Sequence, residues 1–281
     1  MLSGLSAEMG RRMLAACLLL ALTGTATARA ADGADNYVLP VVPVPAGGVA
    51  IDGDLKDWDL SGKIFSCYDA ELMRDNHSVC TAAMYDENGL CLAFHFKDAT
   101  PLRNGVDPVN QPGCGWRNDC VQLRIWVDPD KPVGPQGGRL AHIDAYYFAD
   151  GKQPVAYLQY NDLSKREGGF EGKIPQAVGN GIEMAFRADD DGKGYVQEMR
   201  IEWKLLRRDG SPYKAGESLR MGMEFMWGNP SNPARPEHRY ADLVNKDRPQ
   251  REFFWSTKEA WGEVHFLDRG GLAPSASVAS L

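Results

Sequence analysis

Residues 80–98 read CTAAMYDENGLCLAFHFKD, and they decide the fold class. Cys80 to Asp86 is strand-like, Asn88-Gly89 is the pair that favours a type I′ hairpin turn, and Leu90 to Lys97 alternates without interruption. In an extended chain, successive side chains point to opposite sides. Leu90, Leu92, Phe94 and Phe96 therefore share one face, and Cys91, Ala93, His95 and Lys97 share the other.

The same alternation recurs further along the chain. Cys120 to Asp128 has Val121, Leu123, Ile125 and Val127 on its apolar face and Gln122, Arg124 and Trp126 opposite. Tyr195 to Trp203 points Met199, Ile201 and Trp203 inward, with Glu198, Arg200 and Glu202 outward. Leu219 to Trp227 is a fourth strand and Val264 to Leu267 a short closing one. Weaker candidates lie at 143–149, 155–160 and 182–187, and Asp189-Asp190-Asp191-Gly192 reads as a hairpin turn. No helical period persists for about a dozen residues outside the N-terminus. Short strands between Gly, Pro, Asp and Asn turns predict an all-β fold, an antiparallel β-sandwich with a jelly-roll or immunoglobulin-like two-sheet architecture. Long loops are expected at 99–119, 129–142 and 228–253, and such loops gather at sheet ends and carry function.

At 281 residues the chain suits one β domain. Arg11-Arg12, the apolar run Met13 to Leu22 and Ala28-Arg29-Ala30 read as a signal peptide over residues 1–30. Cleavage near Ala30 would leave an exported protein, periplasmic or extracellular, with no membrane span. A Pro-rich extended lead-in with no core of its own is expected at 31–45, the domain at 46–270 and a flexible tail at 271–281. The net charge is −7, and loss of the leader makes it −9. So acidic a surface disfavours nucleic acid, whose phosphates require Lys and Arg. Five cysteines follow the leader, so at least one is unpaired within the chain. Cys114 and Cys120, either side of a Gly-containing loop, are the expected disulfide.

These blocks resemble carbohydrate-binding module family 9 and its DOMON-like relatives. Ile51-Asp52-Gly53 with Asp57-Trp58 resembles the family's entry motif, and the hairpin ending in Phe96-Lys97-Asp98 its second block. Trp116-Arg117-Asn118-Asp119-Cys120-Val121-Gln122-Leu123 is similar to its W-x-x-D-x-V-E block. Gly194 to Trp203 resembles its GY-x-x-E…I-x-W strand, and Trp255-Ser256 with Trp261-Gly262 its closing segment. The blocks keep the family's order over about residues 49–268. The resemblance implies a β-sandwich that binds a sugar or polysaccharide between tryptophans, beside secreted polysaccharide-degrading enzymes, sometimes with structural calcium.

The residue chemistry agrees with that implication. A pyranose offers apolar C–H faces to a flat ring and hydroxyls to planar polar groups, and tryptophan supplies the largest ring. Trp116, on a polar loop, matches the first stacking platform, and Trp255 or Trp261 the second. Trp227, at a strand end, is a further candidate, whereas Trp58, Trp126 and Trp203 are expected to pack as core or anchors. Arg117, Asp119, Gln122 and Arg124 complete the expected ligand set, with Gln122 standing where sugar-binding members often have glutamate. Arg124 suits a ring hydroxyl or a carboxylate. Asp52, Asp54, Asp57 and Asp98 are the oxygen ligands a calcium ion would use. Other readings are a non-catalytic protein-interaction module, a glycosidase and a b-type haem domain. For a glycosidase, Glu198 and Glu202 share a strand face but have Arg200 between them. Haem is disfavoured as a cofactor, since His95 and strand methionines that read as core filler are its candidate ligands.

Overall fold

The computed structural model describes residues 38–161, 171–242, 244–247 and 258–273. In chain order its strands are β1 Val38–Pro43, β2 Ile64–Cys67, β3 His77–Tyr85, β4 Gly89–Asp98, β5 Cys120–Val127, β6 Arg139–Phe148 and β7 Gln153–Tyr160. They continue with β8 Gly172–Ile174, β9 Ile182–Ala188, β10 Gly194–Glu202, β11 Ser218–Trp227, β12 His238–Ala241 and β13 Gly262–Phe266. The one α-helical piece among the described residues is a single turn, Trp203–Leu206. No helix there is long and apolar enough to cross a membrane. The expected leader, residues 1–30, lies outside the described residues.

The all-β expectation holds, but the strands form one sheet instead of two. Their order is β8-β7-β6-β5-β11-β13-β1-β3-β4-β10-β9, with β12 beside β11 and β2 beside β3. This sheet curls into a half-barrel whose wings pack against each other. Phe94 and Phe96 of β4 meet Phe225 of β11 at ring-centre distances of 6.1 and 5.8 Å. The alternation read from the sequence fills this interior: Leu90, Leu92, Phe94, Phe96, Val121, Leu123, Ile125, Val127, Met199 and Ile201 are all buried there. Each such side chain contributes roughly 1.5–3 kcal/mol.

β1 corrects two expectations. It lies inside the stretch read as a lead-in, yet Leu39, Val41 and Val42 are buried. It pairs in parallel with both β13 and β3, so the sheet is mixed and not antiparallel throughout. Proline cannot donate to a ladder and normally marks an edge. Here Val38 to Val41 face β13 while Val41 to Pro43 face β3. Pro40 and Pro43 are thus each paired on one side only.

The hairpin at 80–98 is present with a different turn. Neither Asn88 nor Gly89 adopts a positive φ, as a type I′ turn requires. Asp86 instead accepts the backbone N–H groups of Asn88 (2.8 Å) and Gly89 (3.0 Å) on one carboxylate oxygen. Gly89 is needed for another reason, since a Cβ there would lie 2.5 Å from the Ile201 carbonyl oxygen. The turn at Asp189 to Gly192 joins β9 to β10 as read. Gly271 and Leu272, read as tail, are tied down: their N–H groups donate to Asp59 (2.7 Å) and Ser61 (2.8 Å).

The Cys114–Cys120 disulfide is not formed, and all five described cysteines are free. Cys120 opens β5 with its thiol directed at its neighbour's carbonyl, 3.5 Å from the Val121 oxygen. Cys114 and Cys120 pack into one small apolar cluster as hydrophobic side chains.

Candidate functional site

The second face of β5 builds the site. Gln122, Arg124 and Trp126 point away from the interior that Val121, Leu123 and Ile125 fill. Register then adds neighbours. Gln122 has Glu224 of β11 on one side and Asp144 of β6 on the other. Arg124 lies between Gly222 and His142, and β7 extends these two rows with Tyr157 and Gln159. A polar patch therefore crosses four strands on one face.

Its members are tied to one another. Asp144 accepts from the Gln122 amide and, at 2.7 Å, from His142 Nε2. Burial and the nearby Arg124 cation push the His142 pKa down to about 4, so the ring is neutral with its proton on Nε2. Arg239 of β12 forks onto Glu224, with Nε to Oε1 and Nη2 to Oε2 both at 2.7 Å. Gln122, Arg124 and Asp144 have no exposed surface. Burial lowers the Arg124 pKa, and the Asp144 and Glu224 charges oppose that.

An aromatic end closes the patch. The same face runs on from Gln122 to Cys120, from Glu224 to Met226 and from Asp144 to Tyr146, which with Val106 and Val155 form an apolar cluster. Trp116 packs half-buried against this cluster from the short turn Gly115–Arg117. Gly115 makes the approach possible, because a Cβ there would lie 2.4 Å from the Tyr146 ring. The guanidinium carbons of Arg117 and Arg239 lie 5.6 and 5.8 Å from the Trp116 ring centre. At the other end of the patch, Lys258 Nζ lies 4.7 Å from the Trp126 ring.

Of the expected ligand set, Trp116, Arg117, Gln122 and Arg124 come together here. Asp119 does not join them. It is buried as a clamp, accepting the Arg103 and Gly228 N–H groups at 2.5 Å each. Burial and the Asp98 charge push its pKa up to about 7, and burial raises Asp98 to about 6. Trp227 points into the interior and donates to the Lys97 carbonyl at 2.9 Å. Trp261 is 3% exposed, and at that burial neither tryptophan offers a ring face to a ligand from solvent. Trp255 lies outside the described residues. Glu224, Asp144, His142 and Arg239 were not singled out from the sequence. The His142-x-Asp144 spacing on a strand was the available signal for two of them.

The four aspartates expected to hold calcium do not converge. Asp52, Asp54 and Asp57 bind turn N–H groups of Asp54, Lys56 and Ala50. Asp98 lies beside Asp119 instead, with Thr100 N donating to it at 2.7 Å. Among the described residues, no three His, Cys, Asp or Glu side chains are placed to share a metal ion. The carboxylate pair weighed for glycosidase chemistry is also separated in role. Glu198 is buried and accepts the Asp52 (2.8 Å) and Gly53 (2.6 Å) N–H groups, whereas Glu202 pairs with Lys204. His95 bonds Asp189 on the outer face of β4, away from Met199, Met221 and Met223 in the interior.

The fold is similar to that of solved carbohydrate-binding modules of family 9. A carbohydrate binding module family 9 from Caldicellulosiruptor kristjanssonii, solved in complex with cellotriose, is similar at a TM-score of 0.54 and 16% identity. The match covers 85% of this chain and 99% of that one. The same organism's family 9 module in complex with glucose is similar at 0.51 and 15% identity, covering 85% and 100%. No family model and no curated protein matches the sequence.

Proposed function

We propose that this chain is a non-catalytic carbohydrate-binding module whose ligand stacks on Trp116, at the end of the β11–β5–β6 face. The observation that carries the reading is a half-buried tryptophan whose ring has the planar Arg117 and Arg239 guanidiniums beside it. A sugar needs both parts, an aromatic surface for its C–H face and planar hydrogen-bonding groups for its hydroxyls. The fold is one found in modules solved with cellotriose and glucose. Export to the periplasm or exterior and action beside polysaccharide-degrading enzymes remain parts of the proposal that rest on the sequence.

The test is a glycan-array screen of the chain and of Trp116→Ala. Selective binding lost in the variant, with its cooperative melt retained, is the expected result. Binding that survives the substitution would move the site elsewhere. No glycan binding by an intact fold would favour a protein-interaction module.

A further inference from the structure

We infer that the glycan taken by this face carries a carboxylate, as a uronic acid residue does; this rests on the carbohydrate-binding reading and narrows it. The Trp116 ring is flanked by the Arg117 and Arg239 guanidiniums at 5.6 and 5.8 Å. Arg239 is exposed, while its partner Glu224 is buried and uses both oxygens on the Arg239 fork. That fork occupies Nε and Nη2 and leaves the Nη1 edge pointing elsewhere. Among the described residues, Arg117 donates from Nη1 to Gln111 Oε1 at 2.5 Å.

The anionic side chains of the patch do not offset this at the surface. Asp144 has no exposed surface and is bonded to Gln122 and His142. Gln122, between Asp144 and Glu224, is neutral. Arg124, the cation the sequence offered for a carboxylate, is fully buried, so the role passes to Arg117 and Arg239. In a chain of net charge −7, the charge presented beside the half-buried Trp116 ring is positive. A guanidinium donates two parallel hydrogen bonds in the plane of a carboxylate, a geometry hydroxyls do not reproduce. A uronate stacked by its C–H face on Trp116 would carry its carboxylate to the ring's rim, where these two arginines stand.

The experiment is calorimetric titration of the full chain with a galacturonate trisaccharide, cellotriose and sulfated cellotriose, at low and at raised salt. The expected result is about tenfold tighter binding of the galacturonate than of cellotriose, shrinking with salt as a charge-based preference must. Arg117→Gln should lower galacturonate affinity more than cellotriose affinity and so remove most of that preference. Equal or tighter cellotriose binding would overturn the carboxylate and leave the carbohydrate reading standing. Tightest binding of the sulfated sugar would overturn it in favour of another anion. No binding of any of the three by a cooperatively melting chain would overturn both readings.

Discussion

Gly53 shows how much of the entry motif is geometry. Its φ is +86°, and a Cβ there would lie 2.8 Å from the Arg187 Cβ. Its N–H also reaches the buried Glu198 carboxylate at 2.6 Å. Gly53→Ala therefore combines left-handed strain with a clash, and should cost about 1–3 kcal/mol in a denaturant melt. An unchanged midpoint would mean the loop simply moves aside. Glu198→Ala should cost on the order of 2–4 kcal/mol, because two N–H donors lose their charged acceptor. A loss under about 0.5 kcal/mol would show that water replaces it. Alternation correctly put Glu198, Gln122 and Arg124 opposite the apolar faces, but it gave no sign that they are buried. That depends on what packs over the second face: the 49–58 segment over Glu198, and neighbouring strands beside Gln122. One strand's sequence does not contain that information.

At the scale of elements, the long strands were legible because each has an apolar face of several residues. β2, β8 and β12 were not, being three or four residues long. β12 mattered most, since it hid Arg239 inside what read as a loop. The loops themselves are tied at Asp98 and Asp119, which join the end of β4 to residues 100, 103 and 228. Both carboxyls are held above their ordinary 3.8, to about 6 and about 7. The folded chain thus keeps protons that the unfolded chain releases. Their contribution to stability is whole below about pH 4 and is lost as pH rises through those two values. His77 and His142, held down to about 4 from 6.5, act the other way and lose their contribution as pH falls from 6.5 towards 4. Asp98→Asn removes one charge of the pair and keeps an acceptor for Thr100. It should raise the melting temperature at about pH 8 relative to wild type by several degrees and leave it nearly unchanged at about pH 5. Parallel melting curves for the two proteins across that range would show that the pair does not titrate there.

For the whole molecule, the sequence predicted strands packed about one interior, and the wings of the half-barrel do pack that way. What it could not predict is that β1 and β13 bridge the wings into one sheet, because pairing between distant strands leaves no local mark. The bridge makes a strong prediction. A chain beginning after residue 43 would lose the strand between β13 and β3, exposing a ladder edge in the middle of the sheet. It should fail to melt cooperatively, although the stretch removed carries none of the proposed ligand contacts. A cooperative melt in that truncation would mean that β13 and β3 can pair directly.

The position of β1 also bears on how the protein comes into being. Four of its seven register pairs lie on β13, which is made long after β1, and three on β3. As the polypeptide leaves the ribosome, β1 can hold only β3, and the seam of the sheet waits for the last strand to emerge. The growing chain is thus kept from closing its fold until β13 has emerged, and until then the partly made sheet is open along the β13 side of β1.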